Sequence, residues 1–211
     1  MISFENVYKK YKDIILFENL NVKLPSNKKI LIKGINGSGK SVFLKMIVGY
    51  SKPDSGKVLI DGKELGKSFD FIPDAGVSIN APEFIKNMTG KENLEYLSNI
   101  LKKTTNEEMM NLIKDFDLEY HIDKKYKTYS LGMKQKLRII QALMEKPKYL
   151  ILDEPFDALD KKSQNKLMEI LNSYIKKDTT LIFTSHNSEY EDFADVIYEL
   201  NDYKMELIKN K

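Results

Sequence analysis

The chain has 211 residues, with 34 Lys and Arg against 31 Asp and Glu, a net charge of +3, and no cysteine. That length suits one domain, since domains run to about 50–250 residues, and the missing cysteines exclude disulfides, thiolate catalysis and cysteine-based metal sites. Lysines interleaved with acids, and a single arginine at Arg138, argue against a nucleic-acid partner, which normally meets a clustered basic face and bidentate arginines.

In chain order, Ile2–Val7 and Ile14–Leu24 alternate apolar and polar residues, the pattern of half-buried strands. Pro25-Ser26-Asn27 breaks the pattern, and Lys29–Lys33 is a short apolar strand that runs directly into a glycine-rich loop. Ser41–Tyr50 reads as a helix with Phe43, Leu44, Ile47 and Val48 on one face. Pro53-Asp54-Ser55-Gly56 is a turn, and Lys57–Ile60 followed by Asp61-Gly62 predicts a hairpin. Residues 91–102, 106–117 and 131–145 carry helical periodicity, with Thr104 or Asn106 and Ser130 as N-cap candidates. Tyr149–Leu152 and Thr180–Thr184 are continuous apolar runs of the buried-strand type. Lys161–Lys176 is an amphipathic helix, and a short helix near Ser188–Ala194 precedes two terminal strands.

Strand–loop–helix and strand–helix–strand units predict an α/β fold. Its parts are a mostly parallel sheet, an antiparallel β flank and an inserted α-helical subdomain. The expected division is one domain over 1–211, with a core at about 1–80 and 140–211 and helices at about 81–139. No apolar run approaches the ~20 residues that span a bilayer, and residues 1–11 lack a signal-peptide core. The expected location is therefore cytoplasmic, with any membrane part supplied by a partner.

Two motifs carry chemistry. Gly34-Ile35-Asn36-Gly37-Ser38-Gly39-Lys40-Ser41 is a full GxxxxGK[ST] pattern between a strand and a helix. Glycines let main-chain N–H groups wrap a phosphate, the helix N-terminus favours the anion, Lys40 reaches the β- and γ-phosphates, and the Ser41 hydroxyl suits Mg²⁺. Tyr149–Leu152 then ends in Asp153 and Glu154. The first acid suits the Mg²⁺ ion, and the second can polarise an attacking water. Together the motifs predict a Mg²⁺-dependent P-loop NTPase, and the choice of ATP as its nucleotide rests on a family resemblance.

At this point the chain resembles a family. Tyr129-Ser130-Leu131-Gly132-Met133-Lys134-Gln135 is similar to the signature motif of ABC ATPases, in a variant with S-L-G-M for S-G-G-Q. Gln141-Ala142-Leu143 and Pro147 follow as in that family. Phe156-Asp157-Ala158-Leu159-Asp160 resembles its D-loop, Thr184-Ser185-His186 its switch histidine, and Tyr11 its adenine-stacking aromatic, with Tyr8 and Phe17 as nearby alternatives. Gly76 to Phe84 and the S-L-G-M signature resemble the bacitracin- and lantibiotic-type exporter and immunity subfamily.

The resemblance implies a set of roles. Tyr11 stacks on adenine. Asn36, Gly37, Ser38, Gly39, Lys40, Ser41 and Val42 hold the nucleotide. Ser41 and Asp153 hold Mg²⁺, with Asn80 standing where the family has glutamine or glutamate. Glu154 is the general base, and His186 contacts the γ-phosphate and the water. Ser130 and Gly132 reach the nucleotide of a second ATPase subunit in a head-to-tail dimer, joined by Asp160. The implied partners are ATP and ADP, that second subunit, and a membrane-spanning permease that holds the protein at the inner face of the membrane. The implied function is powering export of, or resistance to, a peptide antibiotic or similar substrate. The alternative is a stand-alone ABC ATPase acting on a soluble complex.

Overall fold

The computed structural model describes residues 1–175 and 178–210. Strands β1 (Ile2–Tyr11) and β2 (Ile14–Leu24) form a long hairpin, whose partners are β4 (Ser55–Ile60) and β5 (Lys63–Glu64). All three pairings in this order, β2-β1-β4-β5, are antiparallel. The second sheet runs β10-β9-β3-β8-β7-β6. It is built from β3 (Lys29–Lys33), β6 (Ala75–Ser78), β7 (Tyr149–Leu152), β8 (Thr180–Ser185), β9 (Val196–Asn201) and β10 (Lys204–Asn210). Its pairings are parallel except for the β9–β10 edge. The antiparallel flank and the mostly parallel core are thus both present.

Burial explains why β3, β7 and β8 are apolar on both faces. Ile30, Ile32, Tyr149, Ile151 and Ile182 join one core with Phe43, Leu44 and Ile47 of α1 (Lys40–Val48) and with Phe4, Val7 and Phe17 of the antiparallel sheet. Leu31, Leu150, Leu152, Leu181 and Phe183 join the other. Its remaining members include Leu94 of α2 (Gly90–Leu101), Leu112 of α3 (Asn106–Asp115), Leu137 of α4 (Leu131–Met144) and Leu167 of α5 (Lys161–Tyr174). Each such side chain contributes about 1.5–3 kcal/mol of burial.

Several boundaries differ from the sequence reading. Thr105, not Thr104 or Asn106, caps α3, and it forms a capping box with Glu108. The Thr104 hydroxyl instead donates to the Met144 carbonyl. Helix α5 ends at Tyr174, and Lys176 lies outside the described residues. The helix read at Ser188–Ala194 is a 3-10 turn over Ser188–Tyr190. The division expected at residue 139/140 falls inside α4, which packs on β6, β7, α2 and α3 together.

Strand β6 needs its glycine for space. A Cβ on Gly76 would lie 1.8 Å from the Ala142 carbonyl oxygen and 2.9 Å from Pro147 Cγ. Since both neighbours belong to the backbone or a rigid ring, Gly76→Ala is expected to cost at least about 2 kcal/mol. A melting temperature within 1 °C of the parent's would contradict that packing, since each kcal/mol shifts a chain of this size by about 2–4 °C.

Candidate active site

Strands β3, β6, β7 and β8 run parallel, so their carboxyl ends open on one edge of the sheet. The Gly34–Ser41 loop, Asn80, Asp153-Glu154 and His186 follow those ends. In open α/β sheets that edge is where ligands bind.

The loop after β3 has the backbone its sequence demands. Gly37 and Gly39 have φ of 83° and 100°, a left-handed region costly for other residues. A Cβ on Gly37 would meet nothing within 4 Å, so that side of the loop is open. Gly39 caps α1 without a side-chain hydrogen bond, which leaves the first-turn N–H groups facing the loop. Ser41 and Val42 are half-buried in that first turn, and Asn36 is exposed.

Lys40 is only 6% exposed. Its ammonium donates to the Gly34 carbonyl at 2.7 Å and the Ile35 carbonyl at 3.1 Å, and it lies 3.4 Å from Glu154 Oε1. His186 Nδ1 lies 3.4 Å from Glu154 Oε2, without hydrogen-bond geometry. The chain therefore brings Lys40, Glu154 and His186 together from three separate elements, with Asp157 beside them. Ligand-capable atoms of Glu154, Asp157 and His186 lie within 4.8 Å of one another.

Asp153 is fixed by contacts the sequence does not announce. Its N–H donates to the Ser78 carbonyl at 2.8 Å. Thr184, fully buried in β8, donates its hydroxyl to Asp153 Oδ1 at 2.7 Å and accepts the Glu154 N–H at 2.9 Å. A hydroxyl can do both at once, so one side chain sets both acids. Glu154 itself sits at φ 46°. Thr184→Val keeps the shape and removes the hydroxyl. It leaves a buried N–H without a partner, and the expected cost is about 1–3 kcal/mol. A lowered ATPase rate should accompany the lowered melting temperature; an unchanged rate would show that Thr184 does not set the acids.

The other expected residues fall as follows. Asn80 is exposed after β6, with φ 54°, and the next residue, Ala81, has φ 46°. Tyr11 ends β1 and is 65% exposed, whereas Phe17 is buried against Gly39 and Phe43, so Phe17 is core. Ser130 is exposed and caps α4 by accepting the Met133 N–H at 3.2 Å. A Cβ on Gly132 would lie 3.1 Å from the Ala158 carbonyl oxygen, so the signature segment abuts the D-loop. Asp160 caps α5, and the Ser163 N–H holds its carboxyl below the usual range.

The residues fit a nucleotide with a hard cation. Ser38 Oγ, within the loop, and Glu154 Oε2, on the side of that carboxylate toward His186, are buried and have no hydrogen-bond partner. Asp153 and the Ser41 hydroxyl offer the oxygen ligands Mg²⁺ prefers, which the imidazole of the Glu154–Asp157–His186 group does not.

A protein-family model described as ABC transporter matches residues 17–157. The chain belongs to the ABC transporter ATP-binding family. The ABC transporter ATP-binding protein YybJ of Bacillus subtilis is 33% identical, over 98% of this chain and 95% of its own. The lantibiotic transport ATP-binding protein SrtF of Streptococcus pyogenes is 33% identical, over 93% of this chain and 85% of its own. Among solved structures, the dimeric ATP-binding cassette MJ0796, in a post-hydrolysis state with ADP and Pi, superposes with a TM-score of 0.87. It is 27% identical and covers 100% of this chain and 99% of its own. This ABC cassette is accordingly an ATPase that uses ATP with Mg²⁺ and serves as a transporter's ATP-binding subunit. Tyr11 and His186 lie outside the stretch that the family model matches.

Proposed function

We propose that this cassette powers a membrane permease by ATP-driven pairing with a second cassette, and that the cargo is a peptide antibiotic or similar amphipathic peptide. The observation carrying the catalytic half is the Lys40–Glu154–His186 cluster at 3.4 Å on each side of Glu154. In this reading the first-turn N–H groups of α1 and Lys40 bind the polyphosphate, while Ser41 and Asp153 hold Mg²⁺, with Asn80 reaching it through water. The ion's charge would offset that gathering on the phosphoryl oxygens. Glu154 takes a proton from the attacking water, and His186 positions that water and the γ-phosphate. Tyr11, exposed at the end of β1, stacks on adenine.

Ser130 is exposed and Gly132 is half-buried at the N-terminus of α4, where unpaired N–H groups favour an anion. Leu131 between them is 72% exposed. An apolar side chain left in solvent beside an anion-binding turn suits a second copy, placed head to tail, whose nucleotide completes the site. Binding that requires both halves favours the closed pair, and hydrolysis releases it.

Among the described residues no helix is long and apolar enough to cross a membrane. In this reading a permease supplies the membrane path, and the working place is its cytoplasmic face. Similarity to SrtF supports a lantibiotic-like cargo.

The test is co-purification from membranes with a multi-spanning membrane protein. Growth in graded lantibiotic and bacitracin, with and without the pair, then reads the cargo. Recovery of soluble partners only would remove the transporter reading. A complex with unchanged tolerance would remove the peptide cargo while leaving the permease.

A further inference from the structure

The chain's one arginine is buried in the middle of α4, where Arg138 is 8% exposed. Its Nε donates to the Pro82 carbonyl at 3.0 Å, and Nη1 donates to Gln135 Oε1 at 3.3 Å. Among the described residues no carboxylate forms an ion pair with it. A buried charge that hydrogen-bonds only an amide and a carbonyl, and feels the Glu83 carboxylate and the Tyr126 hydroxyl without pairing with either, is costly to fold around. Packing alone would be served better by leucine or methionine.

What the guanidinium joins gives it a use. Pro82 stands two residues after Asn80, in a segment whose Asn80 and Ala81 both have left-handed φ. That segment walls a groove of about 410 Å³, which Glu83, Phe84, Tyr96 and Gln141 also line. On the other side, Gln135 is equally buried, and its Nε2 donates to the Glu154 carbonyl at 3.4 Å and the Pro155 carbonyl at 3.1 Å. Glu154 is the residue held at φ 46°. The path Pro82–Arg138–Gln135–Glu154 thus ties two strained loops together through a single helix.

We propose that Gln135 and Arg138 are positioning residues for hydrolysis, a cross-brace that fixes the backbone turn of Glu154 relative to the Asn80–Pro82 loop. The inference rests on the reading of Glu154 as the base, and it adds the regulation of that base by the groove-side loop. Gln135 grips the carbonyls of the turn, so the carboxylate keeps its direction toward Lys40 and His186. Arg138 fixes Gln135 by occupying its amide oxygen, which leaves the amide nitrogen to face the turn. Whatever shifts Pro82 moves Arg138, and the turn follows. The brace touches neither the phosphate loop nor Tyr11, so it governs turnover and not nucleotide binding.

The experiment uses the whole chain. Arg138→Met and Gln135→Met, singly and together, are assayed for kcat, KM for ATP, equilibrium binding of a fluorescent ATP analogue, and melting temperature. The expected result is a fall in kcat of about tenfold in each single variant, equivalent to about 1.4 kcal/mol of barrier, with KM and analogue binding within about twofold of the parent. The double variant should fall no further than the worse single one, as for two members of one chain of contacts. Arg138→Lys, which keeps a donor for the Pro82 carbonyl, should be intermediate. Unchanged kcat in Arg138→Met, or losses that multiply in the double variant, overturns the brace. So does a fall in kcat that scales with lost ATP binding or melting temperature, which is the mark of a packing role. If the parent has no turnover, the reading of Glu154 fails and the brace with it. A parent that turns over alongside an unaffected Arg138→Met removes the brace alone.

Discussion

Glu154→Gln should nearly stop ATP turnover while leaving nucleotide binding intact. The substitution keeps size and shape, so the β7 end, the Thr184 contact to the Glu154 N–H and the Gln135 contact to its carbonyl all remain. What disappears is the group that accepts a proton. General-base removal typically costs about 10²–10⁴ in rate. Binding should hold or tighten for an electrostatic reason. Glu154 Oε1 lies 3.4 Å from the Lys40 ammonium, so the carboxylate competes with phosphate for that cation and repels the incoming polyanion. With a neutral amide both effects vanish. ATP that binds but is not cleaved should hold the paired state, visible as a dimer in size exclusion with Mg-ATP and absent with ADP. Phosphate release at the parent's rate would show that another group activates the water.

Much of this site is local in sequence and was legible there. Gly34–Ser41 needs its glycines, its lysine and its hydroxyl within eight residues, so the spacing itself carries the chemistry. Asp153 and Glu154 follow a fully buried strand, which the run Tyr149–Leu152 announces. The parts not legible depend on elements distant in the chain. Thr184 reads as the end of an apolar strand, and only the β7–β8 register sets its hydroxyl against Asp153. The sequence places Gln135 in the signature-like segment and marks Arg138 only as the single arginine; their link shows once the Pro82 and Pro155 carbonyls are placed over them. Strand β6 has four small or modest residues, Ala75-Gly76-Val77-Ser78. Its weak propensity is overridden by pairing with β7 and by the close approach of α4. The α3 cap shows the same thing at a finer grain. Thr104 and Thr105 each have a glutamate three residues on, so the local pattern fits both. The contact from Thr104 to the Met144 carbonyl on α4 decides between them.

Lys40→Ala should abolish the response to ATP without unfolding the protein. The side chain bridges the two halves of the site, through the Gly34 and Ile35 carbonyls on one side and Glu154 on the other. Removing it frees two carbonyls that border the open loop and that water can reach, so the melting temperature should fall by only a few degrees. The loss at the chemical step is larger. One preorganised charged donor at developing phosphoryl charge is worth about 10²–10³ in rate. Ligand linkage separates this effect from misfolding. Saturation at about one hundred times Kd stabilises a folded protein by about 2.7 kcal/mol, or about 5–10 °C at this chain length. The parent should show that rise with Mg-ATP, and Lys40→Ala should show little or none at the same concentration. Lys40→Arg keeps the charge, but its planar fork cannot reproduce the point contacts that the compact ammonium makes with the Gly34 and Ile35 carbonyls. It should therefore regain part of the thermal shift and little of the turnover. A full thermal shift and full turnover in Lys40→Ala would mean that the loop does not grip the phosphates, and the assignment of every other residue around it would lose its anchor.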